Sequence, residues 1–325
     1  MSAPHYPRLV GDVGGTHARL AWIDAPGGEL VDFTVYRCDA FASLADVIAI
    51  HVQRHPRPGP LSCALGVATA VTGDHVQFTN HQWSFSIQAL RDALGFERLL
   101  VVNDFTALAL SLPDLPAAER RRIGPAAASE LPADEAAPVA VIGPGTGLGV
   151  SAMLPSRGGW VPISGEGGHV TLAAVTPREI EVVNLLQKQF GHASAERALS
   201  GQGLVNLYHA VVSLRRAPKE ALTPEDVTTR ALAGDPACVE VVDLFFALLG
   251  TVSGDLVLTL GARGGLYLGG GIVPRLGDWI DRSRFRERFE SKGRFAAYLK
   301  PVPTWLITAK RSPALRGAGV ALDRE

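Results

Sequence analysis

The chain has 325 residues, of which 47% are hydrophobic and 19% are charged, and its formal net charge is −1. This length favours two domains over a single hydrophobic core, and the balanced charge supplies no basic excess for binding nucleic acid. Cysteine occurs only at Cys38, Cys63 and Cys238. These positions are far apart, which argues against a disulfide framework or a zinc site and favours a reducing compartment.

Neither a signal peptide nor a membrane span is expected. The N-terminal sequence lacks a charged segment followed by an apolar one. The most apolar stretch, residues 241–273, is interrupted by Asp243, Asp255 and Arg263, whereas a membrane helix needs about twenty residues with few or no charges. We therefore expect a buried core segment in a cytoplasmic protein that has no membrane partner.

The first part of the chain alternates strand and helix patterns, which predicts an α/β domain. It opens with LVGDVGGTHARLAWIDA (residues 9–25), two apolar runs around a glycine turn, which predicts a hairpin. A strand is predicted within residues 61–71, and a helix capped by Ser84 or Ser86 within residues 84–96. Residues 98–112, RLLVVNDFTALALSL, predict a buried strand that runs directly into a helix.

The composition changes over residues 112–138, which are rich in Pro, Ala, Glu and Arg. We interpret this segment as the connection to a second domain, with its arginines on a solvated face. Residues 138–154 then repeat the opening pattern of strand, glycine turn and strand. Two such hairpins predict a duplicated fold with a ligand held between the halves. Further helical patterns and two strands precede a terminal helix, PALRGAGVAL, which is expected to pack on the first domain.

The first glycine turn, GDVGGT, is neither a Walker A loop nor a GxGxxG fingerprint. Gly14 and Gly15 can adopt positive φ and leave backbone N–H groups pointing outward as a cradle for an anion, while Thr16 adds a hydroxyl. Asp12 would hold a hydrated Mg²⁺ that bridges phosphate oxygens. A plain two-residue hairpin turn with a polar rim explains the same residues without any ligand.

Two more glycine turns lie in the second half. GPGTGLG, residues 143–149, has four glycines in seven residues, and it predicts a second cradle of backbone amides for a polyphosphate. Pro144 lacks an N–H and therefore removes one donor from that cradle. The GGG turn at 269–271 allows a flat ring such as adenine to approach the backbone, or it simply precedes a helix beginning near Pro274.

Asn103 and Asp104 lie where the strand of residues 98–112 gives way to its helix. Both residue types are favoured helix caps, and the pattern alone favours that structural role. The functional interpretation is that Asp104 acts as a general base at the carboxyl end of a strand, where open α/β sheets bind their ligands.

Three further polar residues lie near glycines. Glu166 and His169 occupy the loop ISGEGGHV, where they would suit hydrogen bonds to hydroxyl groups or would simply be solvated. Glu196 belongs to a predicted helix that begins after Ser194 and ends at Gly201. In the first turn of that helix a carboxylate is favourable even without a ligand.

In this order and at these separations, the segments resemble one family, the bacterial glucokinases of the hexokinase–actin–chaperone superfamily. The matching stretches run from Gly11 to the terminal GAGVAL and are GDVGGTHARLA, VTGD with TNHQWSFS, VVNDFTALAL, GPGTGLGV, GEGGHV, GHASAERALSGQGLVNLY, and GGGIVPR with FESKGRF. The joint occurrence of NDFTA, GEGGH and SAERALSG is highly specific. Related sugar kinases and repressors carry a zinc-binding cysteine cluster that this chain lacks, which favours the zinc-free glucokinases.

The resemblance implies an α/β, two-lobed actin-like ATPase (ribonuclease H-like) fold, with mixed sheets flanked by helices and a cleft between the lobes. Residues 1–112 with about 309–325 would form the small domain, and residues 113–308 would form the large domain with the sugar-contact and adenosine loops. Two departures from the family pattern are Ala70, where a proline is common, and Pro144, where a small residue is commoner.

The implied activity is phosphoryl transfer from ATP to the 6-hydroxyl of glucose, with Mg²⁺, in a homodimer. Asp104 resembles the catalytic base. The residues that would hydrogen-bond the ring hydroxyls are Asn103, Glu166, His169 and Glu196. Those that match the nucleotide site, with Asp12 on the Mg²⁺ side, are Gly11, Asp12, Gly14, Gly15, Thr16, Thr146, Gly147, Gly270 and Gly271.

Three alternatives are open at this point. The first is a kinase of the same fold for another hexose, such as mannose or an N-acetylhexosamine. The second is a sugar-sensing regulator without activity, which is disfavoured because such a protein would be expected to have lost Asp104. The third is an actin-like or chaperone-like ATPase with a protein partner, which would not need GEGGH and SAERALSG as sugar-contact loops.

Overall fold

The structure is a computed structural model that describes residues 6–59, 61–78, 81–124 and 137–324. Contacts divide it into two compact units. The first unit comprises the described residues of Met1–Pro116, Pro162–Ser164 and Ala309–Glu325, and the second comprises those of Ala117–Val161 and Gly165–Thr308. Thr79 and Asn80 of the predicted TNHQWSFS stretch lie outside the described residues, as does most of the Pro- and Ala-rich connection.

The strands are β1 (Arg8–Val13), β2 (His17–Ile23), β3 (Val31–Arg37), β4 (Ser62–Val67), β5 (His75–Gln77), β6 (Ser84–Ser86), β7 (Arg98–Asn103), β8 (Arg120–Ile123), β9 (Val139–Pro144), β10 (Leu148–Ser156), β11 (Gly159–Ser164), β12 (Gly265–Leu268) and β13 (Thr304–Ile307). The helices are α1 (Leu44–Arg54), α2 (Ile87–Leu94), α3 (Asp104–Leu110), α4 (Pro177–Phe190), α5 (Gly201–Leu214), α6 (Pro224–Leu232), α7 (Pro236–Leu260), α8 (Ile272–Arg275), α9 (Trp279–Arg282), α10 (Phe285–Glu290), α11 (Ala296–Leu299) and α12 (Ala314–Ala321). Short 3₁₀ turns include Gly167–His169 and Ala195–Arg197.

The first unit contains a five-stranded mixed sheet in the order β3-β2-β1-β4-β7. The strands β1, β2 and β3 pair antiparallel, whereas β4 pairs parallel with both β1 and β7. The helix α2 is capped by Ser86, whose hydroxyl accepts from the amide of Ala89, while Ser84 lies in β6. The terminal helix α12 packs on α3 and β1, and Gly317 lies directly against the carbonyl of Ala107.

The second unit contains a six-stranded sheet in the order β11-β10-β9-β12-β13-β8. Its hairpin strands β9 and β10 pair antiparallel, β12 pairs parallel with β9 and β13, and β8 pairs antiparallel with β13. The first five strands of this order therefore follow the same sequence of hairpin and parallel strands as the first sheet. Two mixed sheets with helices, built on the same plan, confirm the predicted α/β fold class.

The helix α7 is the core helix of the second unit. By length and composition alone it could cross a membrane, since its most apolar 18-residue window has a mean hydropathy of 1.9, but 78% of that window is buried inside the protein. Gly250 and Gly254 allow α10 to approach closely, because a Cβ at either position would clash with the carbonyl of Phe285 or Phe289. This burial agrees with the expectation of a core segment.

The arginines of residues 120–122, which the sequence placed on a solvated face, are only partly exposed in the structure. They lie in β8, at the edge of the second sheet, and are half-buried. Arg120 donates to the hydroxyl of Tyr267 at 2.7 Å, and its guanidinium lies 4.6 Å from the ring centroid of Trp305. Arg121 pairs with Asp281 at 2.8 Å. Hydrogen bonds, ion pairs and stacking on aromatic rings from neighbouring strands and helices hold these guanidinium groups in place. A count of charges along the sequence cannot detect such contacts.

Candidate active site

The first glycine turn, residues 14–16, joins β1 to β2. The hydrogen-bond ladder continues one step beyond the strands, because the amide of Gly14 donates to the carbonyl of His17 at 3.0 Å. Gly14 does not have a positive φ, and its amide is engaged within the hairpin, so the prediction that this N–H points outward to an anion is wrong. Thr16 is exposed and Gly15 is half-buried. Gly11, in contrast, is buried, and a Cβ on it would lie 2.6 Å from Leu65 Cδ2, so packing explains this glycine.

Asp12 and Arg19 face each other across the first hairpin. They are register partners of β1 and β2, and Arg19 Nη1 lies 3.4 Å from Asp12 Oδ2. The Asp12 side chain is 13% exposed and that of Arg19 is 38% exposed. Sequence reasoning missed Arg19, although counting outward from the turn identifies it as the partner of Asp12.

Cys38, which is distant in sequence, contacts the first turn directly. Its amide donates to the carbonyl of Thr16 at 2.9 Å, and its thiol donates to the carbonyl of Gly14 at 3.4 Å. The side chain is completely buried, and burial raises the pKa of the thiol, so the neutral donor form is favoured. The sequence contains no local signal for this contact.

Asn103 and Asp104 divide two tasks at the start of α3. Asn103 is the cap: its Oδ1 accepts from the amides of Phe105 and Thr106 at 2.9 and 3.2 Å. Its Nδ2 donates to the carbonyl of Thr69 at 3.2 Å, which fixes the segment after β4. Asp104 is the first helical residue and is half-buried, and its Oδ1 accepts from the amide of Phe105 at 2.9 Å. The capping role favoured by the pattern therefore belongs to Asn103.

The second glycine turn, residues 145–147, joins β9 to β10. The amide of Gly145 donates to the carbonyl of Gly147 at 2.8 Å, which closes the turn. Thr146 is exposed at its tip. Pro144 pairs with Leu148 at the end of the ladder, so the missing N–H falls at the base of the turn and not at its tip.

Glu196 contacts this turn, and its local structure differs from the prediction. Residues Ala195–Arg197 form a 3₁₀ turn, Ser194 makes no side-chain cap, and Gly201 begins α5 instead of ending a helix. The physical reason is that the amide of Gly201 donates to the carbonyl of Gly145 at 2.8 Å, which fixes the start of α5 at that point. Glu196 Oε2 accepts from the amide of Leu148 at 2.9 Å.

Glu166 precedes the 3₁₀ turn Gly167–His169, and His169 is the last residue of that turn. Both lie in the same unit as Glu196. Their side chains are 57% and 59% exposed, and His169 Nε2 lies 4.0 Å from Glu166 Oε2. A carboxylate acceptor and an imidazole are thus presented side by side. This arrangement suits neighbouring hydroxyl groups, which both donate and accept hydrogen bonds.

Gly270 packs against the second turn, and Gly271 follows it immediately before α8. Gly270 has φ of +76°, and a Cβ there would clash with the carbonyl of Pro144, so both backbone conformation and space require glycine. Both glycines are exposed. The two glycine segments predicted for the nucleotide in the second half are therefore neighbours within one unit. The predicted helix start near Pro274 is confirmed by α8.

Within the described ranges, no group of three or more His, Cys, Asp or Glu side chains could hold a metal ion by itself. Asp12 offers one partly buried carboxylate at the base of the first turn. A single carboxylate completed by phosphate oxygens and water is a usual arrangement for Mg²⁺. The donor chemistry at Asp12 therefore fits a metal ion that arrives with a nucleotide.

Comparison with known proteins identifies the family of the chain. The family model for glucokinase matches residues 9–325. The glucokinase of Aromatoleum aromaticum is 53% identical over 322 residues, covering 98% of this chain and 95% of the relative, and that of Chromobacterium violaceum is 47% identical over 318 residues, covering 98% and 89%. The solved structure of a glucokinase from an Antarctic psychrotroph covers 98% of this chain and 99% of its own, with a TM-score of 0.84 and 33% identity. Since the match spans both sheets and every candidate segment, the chain belongs to the glucokinase family.

Proposed function

We propose that this member of the glucokinase family, an ATP-dependent hexose kinase, uses Asp104 to activate the 6-hydroxyl of glucose. The hydroxyl oxygen attacks the γ-phosphorus of ATP, the bond to ADP breaks, and the hydroxyl proton passes to the Asp104 carboxylate. Phosphoryl transfer depends mostly on positioning and charge stabilisation, so the carboxylate orients the hydroxyl and accepts its proton late. Such general-base help typically contributes about 10²–10⁴-fold.

The observation that carries this proposal is the division of tasks between Asn103 and Asp104. Asn103 caps α3 with its Oδ1, and Asp104 Oδ1 shares only the amide of Phe105 with that cap. Asp104 instead lies at the carboxyl end of β7, the edge at which open α/β sheets bind ligands. A carboxylate at this place in a glucokinase-family chain supports the role of base.

The ring hydroxyls of glucose are assigned to Asn103, Glu166, His169 and Glu196. Because Asn103 Oδ1 already accepts two amides, its contribution to a sugar is limited to donation from Nδ2. Glu166 and His169 are exposed and adjacent, which suits two neighbouring hydroxyls. Charge-assisted hydrogen bonds of this kind are worth about 1.5–3 kcal/mol each.

The nucleotide is assigned to the two glycine turns and to the segment at Gly270 and Gly271. Gly15 and Thr16 of the first turn, with Thr146 and Gly147 of the second, would contact phosphate oxygens. Asp12 would hold Mg²⁺ through water, and the ion supplies charge neutralisation on the phosphates when it is bound. The Asp12 carboxylate lies beside Arg19, and from there it would help to position that metal ion.

We also propose that the protein acts in the cytoplasm, at the first step of glycolysis, as a homodimer. Cys38, Cys63 and Cys238 are free and buried, which suits a reducing compartment. The dimer rests on the family resemblance alone. Sedimentation velocity of the purified chain tests it, and a single monomeric species over the micromolar range would contradict it.

The decisive experiment measures ATP consumption with and without glucose, in the wild type and in Asp104→Ala and Asp104→Asn. We expect consumption to depend on glucose and both variants to lose about hundredfold or more of kcat. Glucose binding, followed by calorimetry, should change by less than about threefold, because the base acts on the transferred proton and not on the ring contacts.

Near-normal turnover in either variant would remove Asp104 from the mechanism. ATP hydrolysis without any sugar would favour an ATPase with a protein partner. Faster turnover of mannose or an N-acetylhexosamine than of glucose, measured on a panel of sugars in the same assay, would favour a kinase for another hexose. The family match itself favours glucose over these alternatives.

A further inference from the structure

Leu148, the first residue of β10, lies where the second glycine turn meets both predicted sugar-binding segments. Its amide donates to Glu196 Oε2 at 2.9 Å. Its carbonyl packs so closely on Gly168 that a Cβ there would clash. Gly167 packs in the same way on Val150, where a Cβ would lie 2.8 Å from Cγ1. The second glycine turn, residues 145–147, is called the phosphate turn below. It leads into β10, and the GEGGH loop packs on the same strand.

The two sugar-binding segments are also joined to each other. The amide of Ala195 donates to the carbonyl of Val170, and the amide of Leu172 donates to the carbonyl of Ala193, both at 2.9 Å. Thr171 and Ser194 form an isolated antiparallel bridge between these bonds. These backbone contacts hold the segment that follows the GEGGH loop against the 3₁₀ turn that carries Glu196.

The carboxylate of Glu196 also packs against the phosphate turn. It lies directly on Gly147, where a Cβ would be 2.5 Å from Oε2. The amides of Gly145 and Leu148 are both engaged within the protein. The amides of Thr146 and Gly147 make no hydrogen bond to the part of the chain that the structure describes, so these are the two donors left for an anion.

We propose that Glu196 is a positioning residue that couples the two substrates: Oε2 fixes the phosphate turn while Oε1 accepts a hydrogen bond from the sugar. Binding of glucose then orders the carboxylate and raises the affinity for the nucleotide. By linkage, the nucleotide must raise the affinity for glucose by the same factor. This inference rests on the proposed function, in which the turn binds phosphate and Glu196 binds sugar.

The first test measures binding of a non-hydrolysable ATP analogue with Mg²⁺ to the glucose-free enzyme by calorimetry. Glu196→Ala should weaken this binding by about threefold to tenfold, because the Leu148 amide loses its acceptor and the turn loses its shape. Glu166→Ala is the matched control: it removes another proposed sugar ligand, whose carboxylate lies 4.0 Å from His169 Nε2, and it should leave nucleotide affinity unchanged. Glu196→Gln, which keeps an acceptor for the amide, should restore nucleotide binding while glucose binding stays weak.

The reciprocal test changes the turn and measures glucose binding without nucleotide. Gly147→Ala places a methyl group against Glu196 Oε2 and displaces a flexible side chain, so the fold should persist. We expect glucose affinity to fall by about threefold or more, although Gly147 itself is not a proposed sugar ligand, because the displaced Glu196 no longer presents Oε1 to the sugar. Gly145→Ala is the control, since its Cβ would meet open space, and it should leave glucose affinity unchanged.

The outcomes separate the two proposals. Normal nucleotide affinity in glucose-free Glu196→Ala, or normal glucose affinity in Gly147→Ala, overturns the coupling while leaving the catalytic assignment intact. Should Glu196→Ala fail to fold, the Gly147→Ala measurement decides alone. Unchanged glucose affinity in both Glu166→Ala and Glu196→Ala would instead contradict the proposed sugar site itself.

Discussion

The two units build their glycine turns on the same order of strands but stabilise them with opposite chemistry. The first turn is stabilised by Cys38, an uncharged and fully buried side chain. The second is stabilised by Glu196, a half-buried carboxylate, and by the amide of Gly201. The comparison teaches that a turn of this kind takes its shape from residues distant in sequence. A partly exposed carboxylate can stabilise a turn and also accept hydrogen bonds from a ligand. A fully buried thiol stabilises the turn but is not accessible to a ligand.

The same contrast extends to the interiors of the two units. In the first, His51 is fully buried among aromatic rings, bonded to the Tyr36 hydroxyl at 3.1 Å. In the second, Arg288 and Glu179 form a buried ion pair with contacts of 2.7 and 3.0 Å. Burial alone would raise the pKa of Glu179, but hydrogen bonds from Arg288 and the Val175 amide lower it overall. At these two places the first unit buries a neutral group and the second buries a charged pair.

The largest expected effect comes from breaking that pair. Arg288→Ala leaves the Glu179 carboxylate, which is 1% exposed, without its cation, and should cost about 3–5 kcal/mol of unfolding free energy in urea titrations. The control is Arg284→Ala, which removes an exposed pair with Glu287 and should cost less than about 1 kcal/mol. Equal losses in the two variants would refute the contrast between interior and surface.

Acid should act on the first unit through His51. Burial, with a contribution from His55, lowers the pKa of His51 from 6.5 to about 4. Protonation therefore favours the unfolded chain, so the stabilisation is complete above pH 6.5 and decreases as the pH falls towards 4. The loss should be about 1.4 kcal/mol per pH unit in that window. Urea unfolding of the wild type and His51→Gln at several pH values measures it, and parallel pH slopes would exclude His51 as the cause.

Asp12 and Glu196, the carboxylates near the two turns, should differ in their effect on the Mg²⁺ requirement of the enzyme. Asp12→Asn should lower kcat by about hundredfold and raise the Mg²⁺ concentration needed for half-maximal activity, because the charged acceptor for the water molecules on the ion is lost. Glu196→Gln should leave the Mg²⁺ requirement unchanged, whatever it does to sugar binding. Magnesium titrations at saturating ATP and glucose make the comparison, and a shifted requirement in both variants would erase the distinction.

The smallest effect is expected at Cys38. Cys38→Ala removes one weak hydrogen bond to Gly14 and should raise the KM for ATP by about twofold to fivefold, with the KM for glucose unchanged. Cys38→Ser keeps a donor and should restore the wild-type value. Cys63→Ala, an equal truncation at a buried cysteine of β4, should reduce stability without changing either KM. An identical kinetic change in Cys63→Ala would mean that the Cys38 effect is one of general packing.

Local patterns predicted much of the fold. Alternating apolar runs identified both hairpins, and the sequence VVNDFTALAL placed the junction of β7 and α3 at Asn103 and Asp104. The errors arose where two interpretations use the same residues. Glycine occurs at both ends of helices, so the sequence could not show whether Gly201 begins a helix or ends one. The hydrogen bond from its amide to the carbonyl of Gly145 places it at the start of α5. A run of arginines is usual on a solvated surface and equally usual on the edge strand that Arg120 begins.

The sequence by itself determined most of the element types, the two glycine turns, the family and the identity of the candidate residues. Tertiary structure alone decided which of these residues contact one another. Glu196 and Leu148 are 48 positions apart, Cys38 and Gly14 are 24 apart, and Arg120 and Tyr267 are 147 apart. Periodicity, capping and turn propensity act over a few neighbouring residues. Contacts between distant residues depend on how the strands and helices pack, so only the folded chain specifies them.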